Sequence, residues 1–102
     1  MKNRKNGRDK RKDQKRHAKD RFYLRFGFVL TDQNYDRMCR AIQNNEYEFI
    51  EKQSNTRSLF KTNITKDAEG VVVDKYPVYM IYDKKRGQIA TFLTKDMYEE
   101  RQ

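Results

Sequence analysis

The sequence predicts an α+β domain in which two N-terminal helices pack on an antiparallel sheet of about four strands. Apolar residues repeat with helical spacing in the first part of the chain, and strand-like alternation follows after residue 45. Short turn signals then join successive strands, which favours antiparallel neighbours. The chain has 102 residues, enough for one domain, and 13% of them are aromatic, which argues against full disorder.

The first helix is predicted from about Gln14. Ala18, Phe22 and Phe26 recur every fourth residue and form an apolar stripe, and Gly27 is a natural stop. Residues before Gln14 are polar and basic without apolar periodicity. We therefore predict a disordered basic arm over residues 1–14 and a single α+β domain over residues 15–102.

The second helix has clearer boundary signals. Thr31 is a typical N-cap, and Asn34 stands at the capping-box position three residues later. Leu30 before the cap and Tyr35 after it suit a hydrophobic staple, and Asn44 and Asn45 end the helix. The residues that should share its apolar face are Tyr35, Met38, Ala41 and Ile42.

The second half of the chain predicts strands. The loop over residues 83–87 has the composition of a five-residue hairpin with Gly at its end, and residues 66–70 read as a polar loop. A bend at residues 75–77 should divide the third strand, and residues 95–102 form a short helical or frayed tail. The predicted strand residues are 47–51, 57–64, 71–73 continued by 78–82, and 88–93.

Charge is concentrated at the N-terminus. Residues 1–21 contain eleven Lys or Arg against three Asp, a net charge of +8, whereas the rest of the chain carries +1. Such a segment is typical of nucleic-acid binding, although a solubilising tail or an acidic protein partner also fits it. The predicted nucleic-acid-binding residues are Arg4, Lys5, Arg8, Lys10, Arg11, Lys12, Lys15, Arg16 and Lys61.

Composition excludes several classes. Cys39 is the single cysteine and His17 the single histidine, so neither a disulfide framework nor a multi-ligand zinc site fits within one chain, and we expect no metal and no cofactor. No apolar run approaches the length of a membrane span, and no hydrophobic segment follows the N-terminal charges as in a secretory signal. We expect a cytoplasmic protein.

Three short segments offer chemistry. His17 and Arg21 lie one helical turn apart, and a histidine among cations loses its proton more readily, which suits a general base. On a strand, Arg57 and Lys61 share one face and could hold a phosphate. Each also has a plain structural interpretation: His17 as a partly exposed helix histidine, and Arg57 with Lys61 as a solvated sheet face. The third segment contains Thr91, which β propensity alone explains.

Residues 78–93 resemble the terminal hairpin of the RelE, barnase, EndoU and colicin assemblage of small toxin-like nucleases, including its phage-encoded branches. Residues 16–22 are similar to the His-bearing first helix of some phage members. In that group an N-terminal helical part packs on a strongly bent antiparallel sheet. The resemblance therefore implies that the sheet of this chain is bent.

The resemblance also implies metal-independent RNA cleavage, in which a ribose 2′-hydroxyl attacks the adjacent phosphate. By carry-over, His17 would be the acid or base, Arg21 and Arg57 the phosphate clamps, and Ser58 or Thr91 a hydrogen-bonding partner. His17 and Arg57 should then approach one phosphate in the folded domain.

Two further hypotheses stand beside the ribonuclease. The chain could be a non-enzymatic nucleic-acid-binding module, with RNA favoured over DNA. It could also be a small phage-type effector, in the host cytoplasm, that docks on a host protein through exposed aromatic residues.

Overall fold

The computed structural model describes residues 7–66 and 72–100, with side chains over residues 9–63 and 77–100. It is an α+β structure in which two helices precede a four-stranded antiparallel sheet of order β1-β2-β3-β4, as predicted. The elements are α1 (Gly7–Phe26), α2 (Asp32–Gln43), β1 (Glu48–Lys52), β2 (Arg57–Lys66), β3 (Val72–Asp83), β4 (Gln88–Leu93) and α3 (Lys95–Glu100).

Helix α1 begins at Gly7, two turns earlier than the start predicted near Gln14. The apolar stripe was a correct guide to its packing, since Ala18 and Phe22 have no exposed surface. Gly27 ends the helix with φ +83°, the left-handed conformation that favours glycine. The first six residues of the predicted arm lie outside the described residues.

Helix α2 has the predicted boundaries. The Thr31 hydroxyl accepts a hydrogen bond from the backbone amide of Asn34 at 3.1 Å, and Asn45 follows the helix with φ 60°. The Asn34 side chain does not close a capping box and instead accepts from Arg37. All four residues of the predicted apolar face are buried, and Tyr35 also donates from its hydroxyl to the carbonyl of Ile89 at 2.6 Å.

Strand β3 runs without interruption from Val72 to Asp83, so the predicted bend at residues 75–77 does not divide it. Its register with β2 shifts between the pairs Ile64–Tyr76 and Thr65–Val73, which absorbs the irregularity. Pro77 is tolerated because β4 pairs with Tyr79–Asp83 and stops short of it. Residue 71 and most of the predicted 66–70 loop lie outside the described residues.

The described core has one cluster on each face of the sheet. The larger cluster lies under α1 and α2, where Phe22 packs edge-on against Phe28 and Phe92 with ring centroids 5.2 and 5.1 Å apart. The smaller cluster includes Leu59 and Tyr79 and is covered by α3, whose Tyr98 stacks on Tyr79 at 4.1 Å. The predicted helical tail is thus present over residues 95–100, and residues 101–102 lie outside the described part.

Candidate functional site

The turn after β1 and the turn after β3 lie at the same end of the sheet. Arg57 pairs with Asp83 across β2 and β3, and the backbone amide of Lys84 donates to the carbonyl of Thr56 at 2.7 Å. Helix α1 reaches the same place, because Arg11 Nε donates to the carbonyl of Arg86 at 3.0 Å. We call this cluster the basic end and define it as Arg11, Arg57, Lys84, Lys85 and Arg86.

A buried carboxylate organises the basic end. The side chain of Asp83 is 3% exposed, and its Oδ1 accepts from the backbone amides of Lys85 at 2.9 Å and Arg86 at 3.3 Å. Its Oδ2 accepts from Gln14 Nε2 at 3.0 Å and from Arg86 Nη1 at 3.2 Å. Arg57 Nη2 lies 4.0 Å from the same Oδ2. Asp83 therefore connects α1, β2 and the β3–β4 loop.

The surroundings of Asp83 favour its ionised form. Burial by itself raises the pKa of the carboxyl, but hydrogen bonds from Gln14, from the backbone of Arg86 and Lys85 and from the Arg86 side chain lower it. The net result is a pKa below the usual value for aspartate. A carboxylate with this many donors stays charged and keeps the neighbouring cations in place.

Polar contacts hold the first turns of α1 against β4. Gln88, which is buried, donates from Nε2 to the carbonyl of Arg11 at 2.9 Å and to Oε1 of Gln14 at 2.7 Å. Gln14 in turn donates from Nε2 to the carboxylate of Asp83. These contacts fix Arg11 beside the β3–β4 loop.

The side chains of the two arginines around Asp83 are partly accessible. The Arg57 side chain is 45% exposed and that of Arg86 is 28% exposed. Each guanidinium has five N–H donors in a planar fork, and the contact with Asp83 occupies a fraction of them. Both groups therefore have donors available for an anion.

Other cations of α1 are engaged within the fold. Lys15 lies 3.2 Å from Asp36 and 3.7 Å from Asp32, and it also sits over the ring of Tyr35. Lys19 donates to Asp32. This hydrogen bond and the positive charges of Lys15 and Lys19 lower the pKa of the Asp32 carboxyl. Lys15, a predicted nucleic-acid contact, thus joins α1 to the start of α2.

The remaining predicted contacts of the arm lie in several environments. Lys10 and Lys12 are exposed on α1, and Arg16 lies 3.5 Å from Asp13. Lys12 and Arg16 also line an open groove of about 320 Å³. Arg4 and Lys5, and the side chain of Arg8, lie outside the described residues.

Lys61 is separate from the basic end. It shares a strand with Arg57 but stands four residues further along, about 13 Å at the usual rise of a strand. Its Nζ lies over the ring of Tyr79 at 5.8 Å, on the face that α3 covers. The structure does not bring these two predicted phosphate ligands together around one group.

His17 and Arg21 are exposed and lie one turn apart on α1, as the sequence predicts. Within the described part of the chain, His17 forms no hydrogen bond or ion pair with Arg57, Ser58 or Thr91. Arg57 is instead placed beside Asp83. The approach of His17 and Arg57 to one phosphate stays a prediction.

Ser58 and Thr91 are the other two residues of the predicted catalytic set. Ser58 has 0% exposure, and its Oγ has no hydrogen-bond partner among the described residues. Thr91 Oγ1 accepts from Arg25 Nη1 at 3.4 Å, and the same Arg25 nitrogen donates to the carbonyl of Phe92 at 2.7 Å. In this structure Ser58 does not face solvent, and Thr91 contributes to the docking of α1.

Neither a metal centre nor a spanning helix is found in the described residues. Their His, Cys, Asp and Glu side chains form no group of three that could hold a metal ion. None of the described helices combines the length and the apolar composition needed to cross a membrane.

Comparison with protein families, with curated proteins and with solved structures finds no match to this chain. The nuclease resemblance in residues 16–22 and 78–93 therefore stays a hypothesis.

The sequence analysis did not identify Asp83, Lys84, Lys85 and Arg86 as part of a site. One local signal was present, because Asp at the start of a turn commonly accepts backbone hydrogen bonds from the next residues. The contacts with Gln14 and Arg57 depend on tertiary structure and have no local signal.

Proposed function

We propose that this chain binds nucleic acid through the basic end, with RNA favoured over DNA. The observation that supports this proposal is that α1, β2 and the β3–β4 loop bring five cationic residues to one end of the sheet, where two of them, Arg57 and Arg86, lie beside the buried carboxylate of Asp83. Lys84 and Lys85 are exposed at the tip of this cluster, where they are accessible to a phosphate backbone. The preference for RNA depends on the nuclease resemblance.

Phosphate binding at the basic end suits a duplex or a single strand without sequence preference, because backbone contacts determine position and affinity rather than sequence. Residues 1–6 of the predicted arm would add further contacts, since they precede α1 in sequence and Arg11 near the start of α1 lies at this end of the sheet. Lys15 and Lys19 are engaged with Asp36 and Asp32 within the fold, whereas Lys84 and Lys85 of the basic end are exposed.

The test is the affinity for a fluorescein-labelled single-stranded RNA, measured by fluorescence anisotropy. We expect the double variant Lys84→Gln/Lys85→Gln to bind about three- to tenfold more weakly, because each phosphate that is no longer neutralised releases no counterions on binding. The matched control is Arg40→Gln/Lys95→Gln, which removes the same charge from exposed positions on α2 and α3. An equally weakened affinity in both variants would contradict a localised interface.

RNA cleavage is a second candidate function. The observation that favours it is the exposure of His17 and Arg21 one turn apart, where both can reach a bound strand. Incubation of labelled RNA with the pure protein in EDTA should then give products that His17→Ala abolishes without a comparable loss of RNA affinity. Cleavage that survives His17→Ala would refute this mechanism, and binding without cleavage would favour the non-enzymatic module.

Docking on a host protein is a third candidate. Tyr23, Leu24 and Val29 are exposed apolar residues that line one groove of about 590 Å³ near the end of α1. A protein partner retained after nuclease treatment, and no longer captured by Leu24→Ser, would favour this candidate. A partner released by nuclease would instead indicate that RNA bridges the two proteins.

A further inference from the structure

The side chains of Arg57 and Arg86 both lie close to Oδ2 of Asp83. Arg86 Nη1 lies 3.2 Å and Arg57 Nη2 lies 4.0 Å from this one oxygen, so the two nitrogens are within about 7 Å of each other. These two nitrogens face Asp83, and each guanidinium has further N–H donors, so a phosphate can accept from the other nitrogens of both groups. The two arginines are therefore close enough to hold one phosphate together.

The two side chains come from segments that are distant in sequence, and the backbone of each segment is fixed by the fold. Arg57 is the first residue of β2 and pairs with Asp83 in the sheet. Arg86 lies in the β3–β4 loop, which closes through the hydrogen bond from Gly87 N to the carbonyl of Asp83 at 2.8 Å and the contacts with Asp83 Oδ1. A site whose backbone is already fixed loses less conformational entropy on binding.

The charge at this site is favourable for an anion. Arg57 and Arg86 provide two positive charges against one negative charge on Asp83, and the Asp83 side chain is buried while both arginine side chains are partly exposed. An approaching phosphate therefore meets the cations and not the carboxylate. Lys84 and Lys85 precede Arg86 in the same loop and are exposed.

We propose that Arg57 and Arg86 form a binding site for a single backbone phosphate of RNA, and that Asp83 is the positioning residue that sets their separation. This inference depends on the proposed nucleic-acid binding and deepens it. It assigns to Asp83 a favourable effect on anion binding, although the residue itself is negatively charged.

The decisive variants separate geometry from charge. Arg57→Lys/Arg86→Lys keeps the net charge and removes bidentate hydrogen bonding, and we expect about a tenfold loss of affinity for fluorescein-labelled oligo(U). The matched control, Arg37→Lys/Arg40→Lys on the exposed side of α2, should change the affinity less than twofold. Unchanged affinity in Arg57→Lys/Arg86→Lys would overturn the proposed site.

Asp83→Asn tests the positioning role, because it raises the net charge by one. Charge alone predicts tighter RNA binding and a steeper dependence on salt. Loss of positioning predicts weaker binding, by about threefold or more, and a shallower salt dependence because fewer phosphates are contacted. Tighter binding by Asp83→Asn would overturn the role of Asp83.

The outcomes distinguish this inference from the proposed function. A wild-type chain that does not bind oligo(U) would refute nucleic-acid binding as a whole. Binding that is weakened in Lys84→Gln/Lys85→Gln but unchanged in Arg57→Lys/Arg86→Lys would refute only the two-arginine site. Circular dichroism identifies any variant that is unfolded, and if Asp83→Asn is unfolded, Arg57→Lys/Arg86→Lys decides the proposal.

Discussion

Gln14→Ala tests whether the early part of α1 belongs to the folded domain. The substitution removes the hydrogen bond from Gln14 Nε2 to the buried carboxylate of Asp83 and the acceptor for Gln88 Nε2. A hydrogen bond to a charged group contributes about 1.5–3 kcal/mol and a neutral one about 0.5–1.5 kcal/mol. We therefore expect the free energy of unfolding to fall by about 2–4 kcal/mol, since Asp83 and Gln88 are both buried and are each left with one hydrogen bond fewer.

The matched control for Gln14→Ala is Gln33→Ala. Gln33 is an exposed residue of α2, so the same substitution gains the same helix propensity without breaking a buried contact. Thermal unfolding followed by circular dichroism should show a midpoint lower by roughly 10–20 °C for Gln14→Ala and nearly unchanged for Gln33→Ala. Equal midpoints for the two variants would refute the account, because residues 7–14 would then contribute nothing to the domain.

Two other predictions concern the core and Asp83. Phe22→Ala should lower the free energy of unfolding by about 3–5 kcal/mol because Phe22 is completely buried among aromatic rings, whereas Leu24→Ala at a 70% exposed position should change it by less than about 0.5 kcal/mol. Urea titration measures both, and similar destabilisation by both would contradict the packing described for α1. The lowered pKa of Asp83 means that the folded carboxyl protonates at a lower pH than the unfolded one, near 3.9. Its contribution to stability should therefore be complete above about pH 4 and be lost as the pH falls further, through the folded pKa. The stability difference between wild type and Asp83→Asn should shrink over that range, and a constant difference would contradict the assignment.

The sequence predicted those parts of the fold that depend on local patterns. The capping signal at Thr31 and the left-handed glycine after α1 are local, and both were correct. The spacing of apolar residues correctly indicated the buried positions of both helices, including Phe22 and Tyr35. Burial requires only that a stripe of suitable residues meets the sheet, so periodicity is sufficient to predict it.

The start of α1 could not be predicted in the same way. Residues 7–13 contain no apolar repeat, and this stretch is held by polar contacts that Arg11 and Gln14 make with Gln88, which is more than seventy positions away in sequence. The continuity of β3 through Pro77 was missed for a related reason. A proline interrupts a strand only where a neighbouring strand needs its N–H, and the end of β4 leaves that side unpaired.

The candidate site was predicted only in part. The concentration of positive charge near the N-terminus was apparent, and Arg11 and Arg57 were among the predicted ligands. Lys84, Lys85 and Arg86 were interpreted as a hairpin loop, since a sequence does not show which turn a basic helix will approach. The engagement of Lys15 with Asp36 likewise depends on the packing of α1 beside α2.

The salt dependence of RNA binding tests the central claim most directly. For wild type, the logarithm of the affinity for labelled oligo(U) should fall linearly with the logarithm of the salt concentration. Lys84→Gln/Lys85→Gln should reduce the steepness of that line by about 0.7 for each phosphate that is no longer neutralised, and Arg40→Gln/Lys95→Gln should leave it unchanged. A wild-type affinity that does not depend on salt, or the same slope for all three proteins, would contradict phosphate binding at the basic end.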